Sequence, residues 1–245
     1  SKGTFFNIAD LPKEAQEEFV LEFNAAKTVE FETFLFNEDF FVRKGILRSN
    51  LPVIEKPEPL LLRSWMMKID RYEQFYNELL KLNYVLINNP YQYKICHHSY
   101  LINDLFGDHA ARMVTIPNLT KELFDKIITP DSLTEKLTEM KTKFSSDYFI
   151  LKDSVKSEKD IPELFKIPMD ITPENFHQLL KRFIDERGSL YNNGLVFKEF
   201  LPLRKYSGNI TNEWRIFVLN GKAILSLPNN NNVFSFEGKP PLIDW

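Results

Sequence analysis

The chain has one cysteine, Cys96, among 245 residues. No disulfide can therefore form within it, and a reducing, cytoplasmic setting is the expectation. Glycine is also scarce, at eight residues. None falls into a G-x-x-x-x-G-K or G-x-G-x-x-G pattern, which excludes the glycine-rich backbone cradles for phosphate. No G-x-S-x-G elbow and no H-E-x-x-H helix is present, so the common serine-hydrolase and zinc-protease signatures are excluded as well. No apolar run approaches the ~20 residues a bilayer span needs. Residues 1–10 lack a basic stretch leading into an apolar core, so neither a signal peptide nor a membrane partner is expected. The net charge is −3, which gives no bulk attraction for nucleic acid. Cys96, His97 and His98 are adjacent, but a structural zinc site takes four ligands and no second Cys/His cluster exists. A loop holding a partly buried thiol is the plainer reading.

What is abundant is bulky apolar material: 22 residues are Phe and 43% are hydrophobic, enough for cores that need no covalent staples. Residues 11–27 read as a helix and 28–36 as a strand. Residues 60–90 read as strand, helix, strand. Asp70 is placed to cap a helix over 71–82, and the strand over 83–88 should pair in parallel with its predecessor. Polar, helix-forming sequence fills 118–145, followed by a strand at 147–152 and a charged loop. Residues 173–187 carry Phe176, Leu179, Leu180 and Phe183 at helical spacing, with Gly188 just past the last turn. Strands follow at 194–200, 213–219 and 222–227, the last two joined by Asn220-Gly221, a strong hairpin signal. Residues 229–232 are a polar tract read as a loop.

The second half holds cations suited to an anion. Lys152 ends a strand and Lys156 lies four residues on, in polar sequence; either can serve as a point charge for phosphate. Glu213, Arg215 and Phe217 alternate onto one strand face, where Arg215 either meets a ligand or pairs with Glu213 or Glu199. In the segment 198–203, Lys198 and Glu199 lead through Phe200 and Leu201 into a proline. A strand that stops pairing there can turn backbone donors and acceptors toward a flat heterocycle.

Three runs, YFILKDSVKS (148–157), GLVFKEFLPL (194–203) and EWRIFVLNGKAILSL (213–227), together resemble the core of an ATP-grasp domain. The segment 61–98 resembles the pre-ATP-grasp segment of the clade named for two arginines and one lysine. Its usual Arg-Gly-Trp-Met appears here as Arg63, Ser64, Trp65 and Met66. The resemblance covers roughly residues 55–230. It implies an α/β and α+β chain: an N-terminal pre-ATP-grasp α/β domain over 1–117, then an ATP-grasp domain over 118–245, incomplete at its C-terminus, with nucleotide between two antiparallel sheets. It further implies that Lys152, or Lys156 in its place, meets the phosphates of ATP, with Lys198 and Glu213 also in the binding set. Glu199 would lie near the adenine amino group, and Phe200 and Leu201 would supply the hinge backbone. Arg215 and Arg63 would be the catalytic cations, at the γ-phosphate and the acceptor. Magnesium is implied as cofactor, but its usual closing strand is not matched before Trp245, so its ligands stay open. The implied activity is ligation of a carboxylate to an amine through an acylphosphate, on a peptide or protein. The same fold also serves in non-enzymatic ATP-binding assembly chaperones and in degenerate nucleotide-binding modules, which remain the alternatives.

Overall fold

The structure is a computed structural model. It describes residues 3–7, 13–29, 31–101, 103–158, 161–203, 205–207, 210–211, 213–219 and 221–228. The polar tract at 229–232 lies outside the described residues.

The first part is a parallel sheet. Strand β1 (Gly3–Asn7) leads to helix α1 (Lys13–Thr28), strand β2 (Glu32–Phe36) and helix α2 (Glu38–Lys44). Strand β3 (Glu58–Arg63), helix α3 (Ile69–Leu80) and strand β4 (Tyr84–Leu86) follow. The strand order is β2-β1-β3-β4, and each neighbouring pair runs parallel. The expected β3-α3-β4 unit is therefore present. Asp70 lies in the first turn of α3, while Lys68 stands at the cap position without a side-chain cap bond; Asp70 starts too late to serve the first free N–H groups. Helix α3 buries Tyr72, Phe75 and Leu79 at i, i+3 and i+7, and these pack with Phe36, Phe41, Leu60 and Tyr84 into the core of this half.

Helix α4 (Pro90–His97) begins at a capping box in which the Asn89 side chain accepts from the Gln92 N–H and the Gln92 side chain answers the Asn89 N–H. Cys96 therefore stands on a helix, not in a loop, and is exposed. The Asn89-Pro90 pair, which by sequence alone reads as the start of a turn, begins this helix, because proline suits the first helical turn. Two 3-10 turns over 99–101 and 103–109 connect onward.

The second part is built on an antiparallel sheet. Its members are β5 (Met113–Pro117), β6 (Tyr148–Asp153), β7 (Lys166–Pro168) and β8 (Gly194–Glu199), in the order β5-β8-β6-β7. Sheet membership thus changes between β4 and β5. Helices α5 (Lys121–Ile127), α6 (Pro130–Lys143), the short α7 (Pro162–Phe165) and α8 (Pro173–Arg187) cover one face. Thr129 caps α6 and Thr172 caps α8, each just before a proline. Gly188 ends α8 at φ 48°, a left-handed value glycine takes without Cβ strain. After β8 come two hairpins: β9 (Lys205–Ser207) with β10 (Ile210–Thr211), and β11 (Trp214–Leu219) with β12 (Lys222–Pro228).

Candidate functional site

Side chains on a strand alternate between faces, and in the central sheet this alternation separates two chemistries. Phe149, Leu151, Leu195 and Phe197 point to the helices and join Phe176, Leu180 and Phe183 in one core. Ile150, Lys152 and Lys198 rise on the other face. The ladder pairs Ile150 with Lys198 and Lys152 with Val196. Lys152 and Lys198 are therefore diagonal neighbours, about 7–8 Å apart at the backbone.

These lysines line a cavity of about 540 Å³ together with Ile150, Met113, Leu201 and Leu203. That volume suits a small-molecule ligand, for which roughly 300–1,000 Å³ is usual. Phe106 and His109, from the connector between the two sheets, close its side. A second cavity beside Trp65 holds about 110 Å³, too little for a nucleotide. The larger cavity is cationic near Lys152 and apolar toward Leu201 and Leu203, the polarity that a base joined to phosphates requires.

The other expected site residues occupy distinct places. Glu199 bounds the cavity, but its side chain falls on the helix face, is buried, and accepts from the Ser145 N–H. The Phe200 N–H donates to the Tyr148 carbonyl at 3.1 Å, so a heterocycle at this hinge would use carbonyls or Leu201 onward. The Phe200 ring stands edge-on to Tyr148, with Lys166 Nζ 4.1 and 4.2 Å from the two ring centres. Lys156 is exposed, and its backbone N–H donates to Asp153 Oδ1. Arg215 is exposed on β11 opposite Leu227, and Glu213 is half-buried just before that strand. Arg63 ends β3, where Nη2 donates to Glu22 Oε2 at 2.8 Å and Nε lies 2.7 Å from Oε1. It stands at the carboxyl end of the parallel sheet beside β1, where the strand order reverses, the usual place for a ligand crevice in such sheets. Of the expected residues, the structure gathers Lys152, Lys198, Glu199 and Leu201 around one cavity, while Lys156, Phe200, Glu213, Arg215 and Arg63 are not among its lining residues.

Asp153, next to Lys152, organises the loop beyond β6. It is fully buried. Oδ1 accepts from the Val155 and Lys156 N–H groups, and Oδ2 from the Asn192 N–H and Arg187 Nε. Arg187 also donates to Glu158 and to the Leu190 carbonyl. This network fixes where β6 ends and so holds Lys152 at its edge. The sequence shows these residues only as a charged loop and a helix end. Gly194 completes the join: at φ 125° a Cβ would come 2.6 Å from Ser154 Oγ, and Ser154 Oγ itself donates to the Asn193 carbonyl.

His97 and His98 end α4 against this loop. His97 stacks on Tyr93 at 5.0 Å between ring centres, and Tyr93 stacks on Tyr72 at 3.7 Å. Burial, with the neighbouring His98, lowers His97 to about 4. Burial also lowers His98, with Lys94 adding to the effect.

A parallel α/β half, an antiparallel sheet backed by helices, a hinge after β8 and hairpins beyond it together make the ATP-grasp fold, and this chain has that fold. Among solved structures it is similar to the D-cycloserine synthetase DcsG, with a TM-score of 0.51 and 10% identity, covering 81% of this chain and 59% of that one. It thus spans well under two thirds of DcsG. Looser likenesses are to the ATP-grasp ligase PsnB complexed with minimal precursor (TM-score 0.46, 12% identity, 92% of this chain and 69% of that one) and to a RimK domain ATP-grasp protein from Sphaerobacter thermophilus (0.42, 11%, 83% and 65%). No family model and no curated protein matches the sequence. Among the described residues no helix is long and apolar enough to cross a membrane.

Proposed function

We propose that the chain binds ATP over β6 and β8 and uses it to join a carboxylate to an amine, as a member of the clade named for two arginines and one lysine. The observation that carries this reading is the diagonal pair Lys152 and Lys198 at one side of a cavity whose hinge side is apolar. The lysines hold the phosphates as point charges. The backbone from Phe200 onward orients the base, and Leu201 and Leu203 flank it. Arg215, on the following hairpin, is assigned to the γ-phosphate, and Arg63, at the crevice of the parallel sheet, to the acceptor side. The carboxylate oxygen attacks the γ-phosphorus and releases ADP; the amine then displaces phosphate from the acylphosphate. Such chemistry rests on positioning and charge, with no activated Ser or Cys needed.

Magnesium would arrive with the nucleotide's phosphates. Among the described residues no three His, Cys, Asp or Glu side chains come together to hold a metal. Asp153, the acid nearest Lys152 in sequence, already spends both oxygens on protein donors. No residue is therefore assigned to the metal and no step is routed through it.

The test is calorimetric titration of magnesium ATP into the chain and into Lys152→Ala and Lys198→Ala. Saturable binding that each variant weakens by about tenfold or more, the scale of one lost charged hydrogen bond, supports the reading. Absence of binding to the unsubstituted chain overturns it.

A further inference from the structure

The connector between the two sheets borders the larger cavity, and it carries an aromatic ring there. Phe106 lines the cavity beside Ala110 and Ala111. Its ring is nonetheless 52% exposed. A large apolar side chain left open at a cavity wall gains from a flat, apolar partner laid against it.

The backbone decides where this ring stands. Arg112 Nη1 donates to the Lys143 carbonyl at 2.6 Å and to Ser145 Oγ at 3.1 Å. The Arg112 carbonyl accepts from the Glu199 N–H at 2.9 Å. The connector's end is therefore fastened to β8 where the hinge begins. Because β5 and β8 run antiparallel, the residues before Arg112 run beside those after Glu199. Ala110 and Ala111 thus approach the cavity from the same end as Leu201 and Leu203, and all four line it. Directly after Phe106, Gly107 breaks the 3-10 turn at φ 50°, ψ −126°. That pair of angles opens a type II′ turn and suits glycine. A Cβ at Gly107 would meet nothing within 4 Å. The glycine thus answers the turn and not crowding, and the turn sets how Phe106 is presented.

The hinge itself has few free groups for the edge of a base. The Glu199 carboxylate accepts from the Ser145 N–H, and the Phe200 N–H donates to the Tyr148 carbonyl. Pro202 has no N–H. The face of a flat heterocycle is met more fully, by a ring on the connector and by leucines after β8.

We propose that Phe106 is a nucleotide-contacting residue that stacks on the base, presented by the Gly107 turn, while Lys152 and Lys198 hold the phosphates. The connector that joins the two sheets thereby covers one face of the base. The inference deepens the ATP reading and rests on it.

The test is calorimetric titration of the whole chain with magnesium ATP and with magnesium tripolyphosphate, which offers the phosphates without a base. Phe106→Ala should weaken ATP about tenfold, the scale of one lost base–aromatic stack, and leave tripolyphosphate unaltered. The ring is exposed, so the urea midpoint of this variant should match that of the unsubstituted chain. Phe106→Trp should restore the affinity for ATP. Its added indole emission should fall as ATP binds and stay level with tripolyphosphate, after subtraction of the same titration of the unsubstituted chain, which has three tryptophans of its own. Gly107→Ala should weaken ATP and spare tripolyphosphate, whereas Lys152→Ala should weaken both. Should Phe106→Ala bind ATP as tightly as the unsubstituted chain, the proposal is overturned and the ATP reading stands. Equal losses for ATP and tripolyphosphate, or an indole emission that ignores ATP, overturn it as well. Absence of ATP binding to the unsubstituted chain overturns both.

Discussion

The two faces of the central antiparallel sheet carry polar groups to opposite ends. On the helix face, Asp153 and Glu199 are buried and their carboxylates are taken up by backbone N–H groups and by Arg187. On the cavity face, Lys152 and Lys198 line an opening large enough for a ligand. Acids and bases drawn from the same two strands thus divide by the pleat: one set is held by donors in the helix layer, and the other lines the cavity. Substitutions should separate the faces cleanly, with stability losses on one and affinity losses on the other.

The largest effect is expected for Phe197→Ala. Phe197 is fully buried between Phe149 and Phe176, and its removal leaves a cavity worth about 3–5 kcal/mol; urea unfolding would measure it. Arg187→Met comes next. It strands the buried Asp153 carboxylate without its cation, at about 3 kcal/mol or more. If that variant proved as stable as the unsubstituted chain, the network would not be what holds the end of β6. Tyr191→Phe should lose about 1–3 kcal/mol, because the hydroxyl donates to the Leu119 carbonyl and accepts from the Gly194 N–H.

How far all this could be read in the sequence depended on whether a signal was local. Helix α8 and the β11–β12 hairpin were legible because apolar spacing and a turn dipeptide act over a few residues. Lys152 was legible as a lysine closing an apolar strand. Strand β1 was not expected, since five residues pairing with β2 and β3 carry no periodicity of their own. The face of Glu199 was equally hidden. Its one-residue offset from Lys198 turns it to the helices, and only the ladder with Phe149 fixes that. Arg187 and Asp153 are 34 residues apart, and no local pattern in the sequence joins them.

A smaller, pH-dependent effect tests the junction between the halves. Partial burial, with the neighbouring His98, holds the half-buried His97 down at about 4 in the folded chain, below its unfolded value of about 6.5. On acidification the unfolded chain takes up the proton first. Stability is therefore complete above about pH 6.5 and falls as pH drops toward 4. Urea midpoints at pH 7 and pH 5 should differ in the unsubstituted chain, and the difference should shrink in His97→Gln to what His98, lowered in the same direction, and the carboxylates contribute.

The smallest change in stability is expected on the cavity face. Lys198→Ala removes a half-buried cation from an open cavity, and Lys152→Ala removes another from the strand's end; neither leaves a core void. Each should alter stability by no more than about 0.5–1 kcal/mol. The same two substitutions should weaken magnesium ATP by about tenfold or more, and the double variant by more than either. That disproportion distinguishes a ligand face from a structural one. Were Lys198→Ala to lose several kcal/mol in urea and nothing in the titration, the lysine would belong with Asp153 and Glu199 to the fold, and the phosphates would have to be sought beside Lys156 or Arg215.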